Sequence, residues 1–346
     1  MVTKEKMLFA EHLALMLKGG LPLNEALETI RNDTADKGLK KAISDVLKRV
    51  MEGENFSKAL ARHPRFFDRF SQSLVKIGEE SGTLEENLRY LSLKLRKDDE
   101  MAKKVRGALV YPALIVGVAC GMMVAMSVFV LPKIINLFVL LQVDLPLTTR
   151  IMIFLVVFTR KYWYFVLAGI FVLSQLVQLL RRAEAVRFFF DQIALSFPIV
   201  GEIVKSFNLS FFSRTFYVLL KSGVPLMTAL DIIAETMPSR VYGQKVIKVK
   251  EKIETGERIG VSLREYPRFF PGILSGMIAS GEKAGTIEDS FLYLADYYER
   301  EMDAVLRNFS TLLEPLLLIF IGIFVGLVAM AIISPIYKLV GQMRVR

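Results

Sequence analysis

Residues 9–30 read FAEHLALMLKGGLPLNEALETI, and residues 211–233 read FFSRTFYVLLKSGVPLMTALDII. Laid side by side, Lys18, Gly20, Pro22, Leu23, Ala26 and Leu27 recur as Lys221, Gly223, Pro225, Leu226, Ala229 and Leu230, an offset of 203 residues. At the same offset HPRFF (63–67) meets YPRFF (266–270), and GEESGTLEE (78–86) meets GEKAGTIED (281–289). Pro112 pairs with Pro315, and Pro132 with Pro335. A gapless register over about 120 residues is an internal duplication.

Each copy reads as helical. Apolar residues fall three and four apart, Gly and Pro separate the runs, and no alternating strand pattern stands out. Gly19 and Gly20 suit a helix end, Pro22 a helix start, and Gly53 and Pro64 further breaks. The expectation is a compact bundle of about six short helices per copy. Thr83 with Glu86 fits a capping box, which Thr286 and Asp289 repeat less closely.

Each copy runs into an uncharged stretch. Residues 109–130, LVYPALIVGVACGMMVAMSVFV, and 316–333, LLLIFIGIFVGLVAMAII, carry no ionisable side chain apart from Tyr111 and Cys120. At about 1.5 Å per helical residue, the first is long enough to cross roughly 30 Å of hydrocarbon. The second has the same character, and Pro315 before it suits a first helical turn. Between the copies, IMIFLVVF (151–158) is cut from YFVLAGIFVLSQLVQLL by TRKYW. Arg160 and Lys161 are costly at mid-membrane, so the middle span is placed at 163–180 with Arg160, Lys161, Tyr162 and Trp163 at the interface.

Positive residues Lys94, Arg96, Lys97, Lys103, Lys104 and Arg106 precede the first span, and Arg181, Arg182 and Arg187 follow the second, which places those ends in the cytoplasm. The third span is not oriented by charge, because Lys338, Arg344 and Arg346 lie beyond it against Arg300 and Arg307 before it. The duplication orients it, since two like modules with like following spans insert the same way round only if an odd number of crossings, here the middle span, follows the first span and returns the chain before the second module. The N-terminal stretch MVTKEKMLFAEHLALML has no uninterrupted apolar core and no small-residue cleavage site, so it does not read as a signal peptide.

Composition agrees. Of 346 residues 53% are hydrophobic while 23% are charged, which fits soluble modules joined to membrane spans. The net charge of +10 suits an anionic membrane surface or an acidic partner ahead of nucleic acid. The single cysteine, Cys120, excludes an intrachain disulfide and a thiolate metal cluster.

No recognisable catalytic, cofactor or metal site emerges. The phosphate-binding G-x-x-x-x-G-K-[ST] pattern is absent, and His12 and His63 have no partner at ligand spacing. The feature that stands out is G-E-x-x-G-T-[LI]-E: Gly78, Glu79, Gly82, Thr83 and Glu85, then Gly281, Glu282, Gly285, Thr286 and Glu288. Two roles fit it. One is a helix stop, a turn and a capped restart; the other is a set of acids meeting basic groups on a partner or another subunit. Gly117 and Gly121, like Gly322 and Gly326, form G-x-x-x-G, which permits close helix approach in a membrane. The apolar stretches 109–130, 163–180 and 316–333 hold no Asp, Glu, Lys, Arg or His, which argues against an ion or solute path.

The ordered series K-x-G-[LV]-P-L-x-x-A-L, [HY]-P-R-F-F, G-E-x-x-G-T-[LI]-E and span, in duplicate, resembles the inner-membrane platform proteins of type II secretion systems and type IV pili. LPLTTR (145–150) and FPIVG (197–201) also look like that family's stretches flanking the second span. Asp289 in place of Glu86 and a positive tail are the departures.

The resemblance implies an all-α integral membrane protein of the inner membrane, with two cytoplasmic helical bundles, three transmembrane helices, no cofactor and no enzymatic activity. The expected division is a cytoplasmic module at 1–107, a span at 108–131, a periplasmic loop with an interfacial segment at 132–162, and a span at 163–180. A second cytoplasmic module follows at 181–311, then a span at 312–334 and a periplasmic tail at 335–346. Implied partners are a hexameric assembly ATPase, pilin or pseudopilin subunits, other inner-membrane assembly proteins, the lipid bilayer and further copies of the chain as a homo-oligomer, with no nucleic acid. A membrane scaffold unrelated to secretion and a small-solute transporter are the competing classes.

Overall fold

The structure, a computed structural model, describes residues 2–125 and 184–343. The expected loop at 132–162, the span at 163–180 and the ends of neighbouring segments lie outside the described residues. Among the described residues every regular element is a helix. The first copy holds α1 (Val2–Lys18), α2 (Leu23–Asp33), α3 (Lys37–Met51), α4 (Phe56–Ala61), α5 (Arg69–Ser81) and α6 (Leu84–Ala125). After α7 (Glu184–Ser196) come α8 (Pro198–Lys221), α9 (Leu226–Thr236), α10 (Arg240–Glu254), α11 (Ile259–Arg264), α12 (Gly272–Ala284) and α13 (Ile287–Met343).

From the second helix of each copy onward, the starts recur 203 residues apart: Leu23 and Leu226, Lys37 and Arg240, Phe56 and Ile259, Arg69 and Gly272, Leu84 and Ile287. Packing recurs as well. The Phe9 and Phe67 rings lie 5.2 Å apart, and their counterparts Phe212 and Phe270 lie 5.3 Å apart.

Local chemistry explains the elements. In α3, Leu39, Ala42, Ile43, Val46 and Leu47 form one buried stripe while lysines occupy the other face. Asp36 opens that helix by accepting the Leu39 N–H at 2.7 Å, and Asp68 opens α5 by accepting the Ser71 N–H at 2.9 Å.

Residues Met1–Val105 and Arg187–Val305 form one compact unit. Its core is continuous across both copies, from Leu13, Leu27, Ile43, Phe56 and Phe70 to Phe212, Phe216, Phe270 and Phe291. Each such side chain contributes about 1.5–3 kcal/mol by leaving water. Bundling therefore joins the two copies rather than leaving two separate cores.

The second unit comprises Arg106–Val186 and Leu306–Arg346. Along it, Val110, Leu114 and Val118 of α6 and Leu318, Ile323 and Met330 of α13 are exposed apolar side chains. The helices do not start at the prolines, as the sequence led us to expect for Pro315. Instead α6 runs through Pro112, and α13 through Pro315 and Pro335, so that most of the expected tail 335–346 is helical. A proline removes one hydrogen bond, and long helices on either side keep the rest of the ladder in place.

Counting only residues whose side chains are described, no single helix is long and apolar enough to cross a membrane. One pair bent by 117°, 188–196 with 200–221, passes by length and composition. Its second arm is a core helix: α8 buries Phe212 and Phe216 and carries the buried Arg214.

Candidate functional site

Each G-E-x-x-G-T stretch sits where the fifth helix of a copy ends and the long sixth begins. Gly82 and Gly285 close α5 and α12 at φ 74° and ψ 14° or 15°, a left-handed conformation that only glycine adopts freely. Gly78 and Gly281 serve a different need, close approach. A Cβ on Gly78 would lie 2.8 Å from Leu84 Cα and 3.0 Å from Asn87 Nδ2; one on Gly281 would run into Ser290 Oγ and sit 3.0 Å from its Cβ. The reversing helices touch at these two points.

The acids between them point inward. Glu79 accepts the backbone N–H of Phe56 at 2.6 Å and of Ser57 at 3.1 Å, and the Ser57 hydroxyl at 2.6 Å. A side chain on α5 thereby caps the start of α4, whose own preceding residue, Asn55, makes no capping bond. Glu282 repeats the contact more loosely, accepting from Ile259 N at 3.4 Å and Gly260 N at 3.5 Å. Gly260 stands where the first copy has Ser57, so the hydroxyl donor is missing, and its bareness lets α11 lie against Ala279 of α12.

The expected capping box does not form. Thr83 Oγ1 pairs with Ser81 Oγ at 2.7 Å, and Glu86 reaches forward to the Tyr90 hydroxyl at 3.0 Å. The turn at Gly82 brings Ser81 within reach of Thr83, and the hydroxyl pair replaces the cap. Thr286 is exposed, and its N–H donates to Gly281 O at 2.8 Å. Glu85 is half-buried, while Glu288 approaches Lys221 Nζ at 3.5 Å. At Gly117, Gly121, Gly322 and Gly326, nothing lies within 4 Å of an added Cβ.

Sequence reasoning passed over a second cluster, where the copies meet. Lys97 Nζ and Lys104 Nζ of α6 lie 3.2 and 3.3 Å from Glu299 Oε1 of α13, and Lys104 also reaches Asp303 at 2.8 Å. Partial burial works against the Lys104 charge, but Asp303 and Glu299 hold its pKa above that of an ordinary lysine. Arg214 of α8 joins from the second copy, 2.6 Å from Asp296 and 3.2 Å from Glu299. Beside them Lys94, almost fully buried, bonds Asp98 at 2.5 Å and sits 4.0 Å over the Phe211 ring. Burial pushes the Asp98 carboxyl pKa up, against the pull of Lys94. An ion pair between Arg69 and Glu235 and an edge-on contact of Tyr90 with Tyr217, 6.5 Å between centroids, complete the contact. Part of the signal was present in the repeat, since Arg214 and Glu299 stand where the first copy has Glu11 and Arg96, whereas Lys97 and Lys104 recur with the same sign as Arg300 and Arg307.

Among the described residues no three His, Cys, Asp or Glu side chains gather as a metal site. The arrangement is one of caps, close turns and an ionic seam.

The sequence pattern of the family described as "Type II secretion system (T2SS), protein F" matches the chain twice, at residues 9–132 and 212–335. The chain belongs to this family. The two matches stand 203 residues apart, the offset of the internal repeat.

Relatives of this family member span nearly its whole length. The type IV pilus assembly protein PilC of Thermus thermophilus is 31% identical over 343 residues, covering 99% of this chain and 84% of the relative. The PilC of Pseudomonas aeruginosa is 28% identical over 333 residues, 96% of this chain and 89% of its own. The type II secretion system protein F of Vibrio cholerae is 26% identical over 337 residues, 97% and 83% of the two chains.

Proposed function

We propose that this protein is the inner-membrane platform of a type IV pilus or type II secretion assembly machine. The observation that carries the reading is the double family match, in register with the repeat. It is supported by the exposed apolar side chains along residues 109–122 and 318–333, surface that water disfavours and lipid accepts. In this reading the chain crosses the membrane three times, at 108–131, 163–180 and 312–334. The compact unit faces the cytoplasm, and the tail faces the periplasm. Gly117, Gly121, Gly322 and Gly326 then meet neighbouring spans.

The platform role is mechanical. A cytoplasmic hexameric ATPase works on the compact unit, and movement of the spans passes to pilin or pseudopilin subunits leaving the bilayer. The G-E-x-x-G-T motifs are internal fasteners of each copy. Glu79 and Glu282 spend their acceptor capacity on α4 and α11, which supports this role over recognition of a partner.

The test is affinity isolation of the full chain from membranes. Co-isolation of an assembly ATPase or of pilin-like subunits is the expected outcome; recovery of neither overturns the assignment.

A further inference from the structure

Positions 11 and 96 carry Glu and Arg, and 203 residues later positions 214 and 299 carry Arg and Glu. Both couples are ion pairs joining the first and last helices of their copy: Arg96 with Glu11, and Arg214 with Glu299 at 3.2 Å. The duplication kept the pair and reversed its polarity.

The two pairs differ in surroundings. Glu11 and Arg96 are 37% and 47% exposed, whereas Glu299 and Arg214 are 11% and 4% exposed. What covers Glu299 is the basic face of the first copy, with Lys97 and Lys104 within 3.3 Å of its carboxylate. The contact is head-to-tail: one face of the first copy meets a different face of the second. Contacts of that kind propagate from molecule to molecule unless something stops them.

The second copy keeps its own version of the basic face. Arg300 stands where the first copy has Lys97, and it is exposed. Tyr293 stands where Tyr90 is, 49% exposed against 6%. Another chain's first copy offers this face the position equivalent to Glu299, and that position is Arg96. At this position the attraction made once inside the chain becomes a repulsion between chains, while Glu100 keeps the acid that Asp303 supplies.

We propose that the reversed Glu11–Arg96 pair is a specificity determinant: it confines the head-to-tail contact between copies to a single chain and bars a second molecule from repeating it. Discrimination of this kind works by like-charge juxtaposition at the wrong contact.

A charge-exchange cycle in the full-length chain, purified in detergent, tests this by mass photometry over a dilution series at low and high salt. The E11R/R96E variant keeps an ion pair within the first copy but presents an acid to Arg300. Self-association should tighten at least about tenfold over the parent and relax in high salt. R300E leaves the first copy untouched and presents an acid to Arg96; it should tighten self-association by the opposite route. Combining the changes sets acid against acid and should restore the parental distribution. If either single route folds as the parent does, by circular dichroism, and leaves self-association unchanged, the proposal is overturned. It is equally overturned if association rises but the combined variant fails to reverse it. Other contacts between copies leave the comparison intact, because every arm is read against the parent.

Discussion

Replacing Glu79 with Gln tests the fastening role of the acidic motif most directly. In the folded protein this carboxylate accepts three hydrogen bonds, at 2.6, 3.1 and 2.6 Å. Bonds to a charged acceptor are worth about 1.5–3 kcal/mol each against about 0.5–1.5 for neutral ones, and a glutamine offers one oxygen in place of two. Water reaches the half-buried site and returns part of the loss, leaving about 2–4 kcal/mol against α4. Glu282 makes two bonds near the geometric limit, so E282Q should weaken α11 by only about 1 kcal/mol. Amide hydrogen exchange read on peptides covering residues 56–61 and 259–264 separates the two. Since each 1.4 kcal/mol is about tenfold, protection at Phe56 and Ser57 should fall roughly 30- to 700-fold in E79Q, and at Ile259 and Gly260 roughly fivefold in E282Q. Equal losses in the two copies, or unchanged protection at Phe56 and Ser57, would refute the capping argument.

Gly78→Ala and Gly281→Ala force a methyl into the contact between reversing helices and should each destabilise by about 1–3 kcal/mol. Gly276→Ala, on the same helix as Gly281 with nothing within 4 Å, should be neutral or stabilising by up to about 1 kcal/mol; urea midpoints followed by circular dichroism check both. Asp45, 2.9 Å from Arg49 and 2.8 Å from His63, has its carboxyl held below the usual carboxylate range, chiefly by the Arg49 hydrogen bond and then by His63. The unfolded chain therefore takes up this proton first as pH falls. The contribution of Asp45 is complete above the ordinary aspartate pKa of about 4 and is lost on descending through its lower folded value. Urea midpoints of the parent and D45N should differ at pH about 6 and converge toward pH about 2; a gap independent of pH would exclude the pair as its source.

Helix order was legible in the sequence because the punctuation is local. Pro22 and Pro225 precede α2 and α9, and Gly82 and Gly285 close α5 and α12, each acting within a few residues of itself. Glu79 was marked by its place in a repeated motif, but its role depends on α4 packing beside α5, a relation across 22 and 23 residues that no periodicity encodes. Charge patterns read one copy at a time concealed the ionic seam. Lys97 and Lys104 look like membrane-flanking lysines until Glu299 is seen against them. Proline misled at Pro315, where a rule for helix starts met a helix long enough to carry the break.

The seam between the copies also sets a timetable. Lys97 and Glu299 are 202 residues apart, and both copies share one core. At about 5–20 residues per second, a ribosome delivers the second partner roughly 10–40 s after the first. Throughout that interval Lys94, Lys97, Lys104 and Tyr90 lack the partners that the second copy brings them. The nascent first copy must last that interval as an open half, because the seam cannot close before Glu299 has been made.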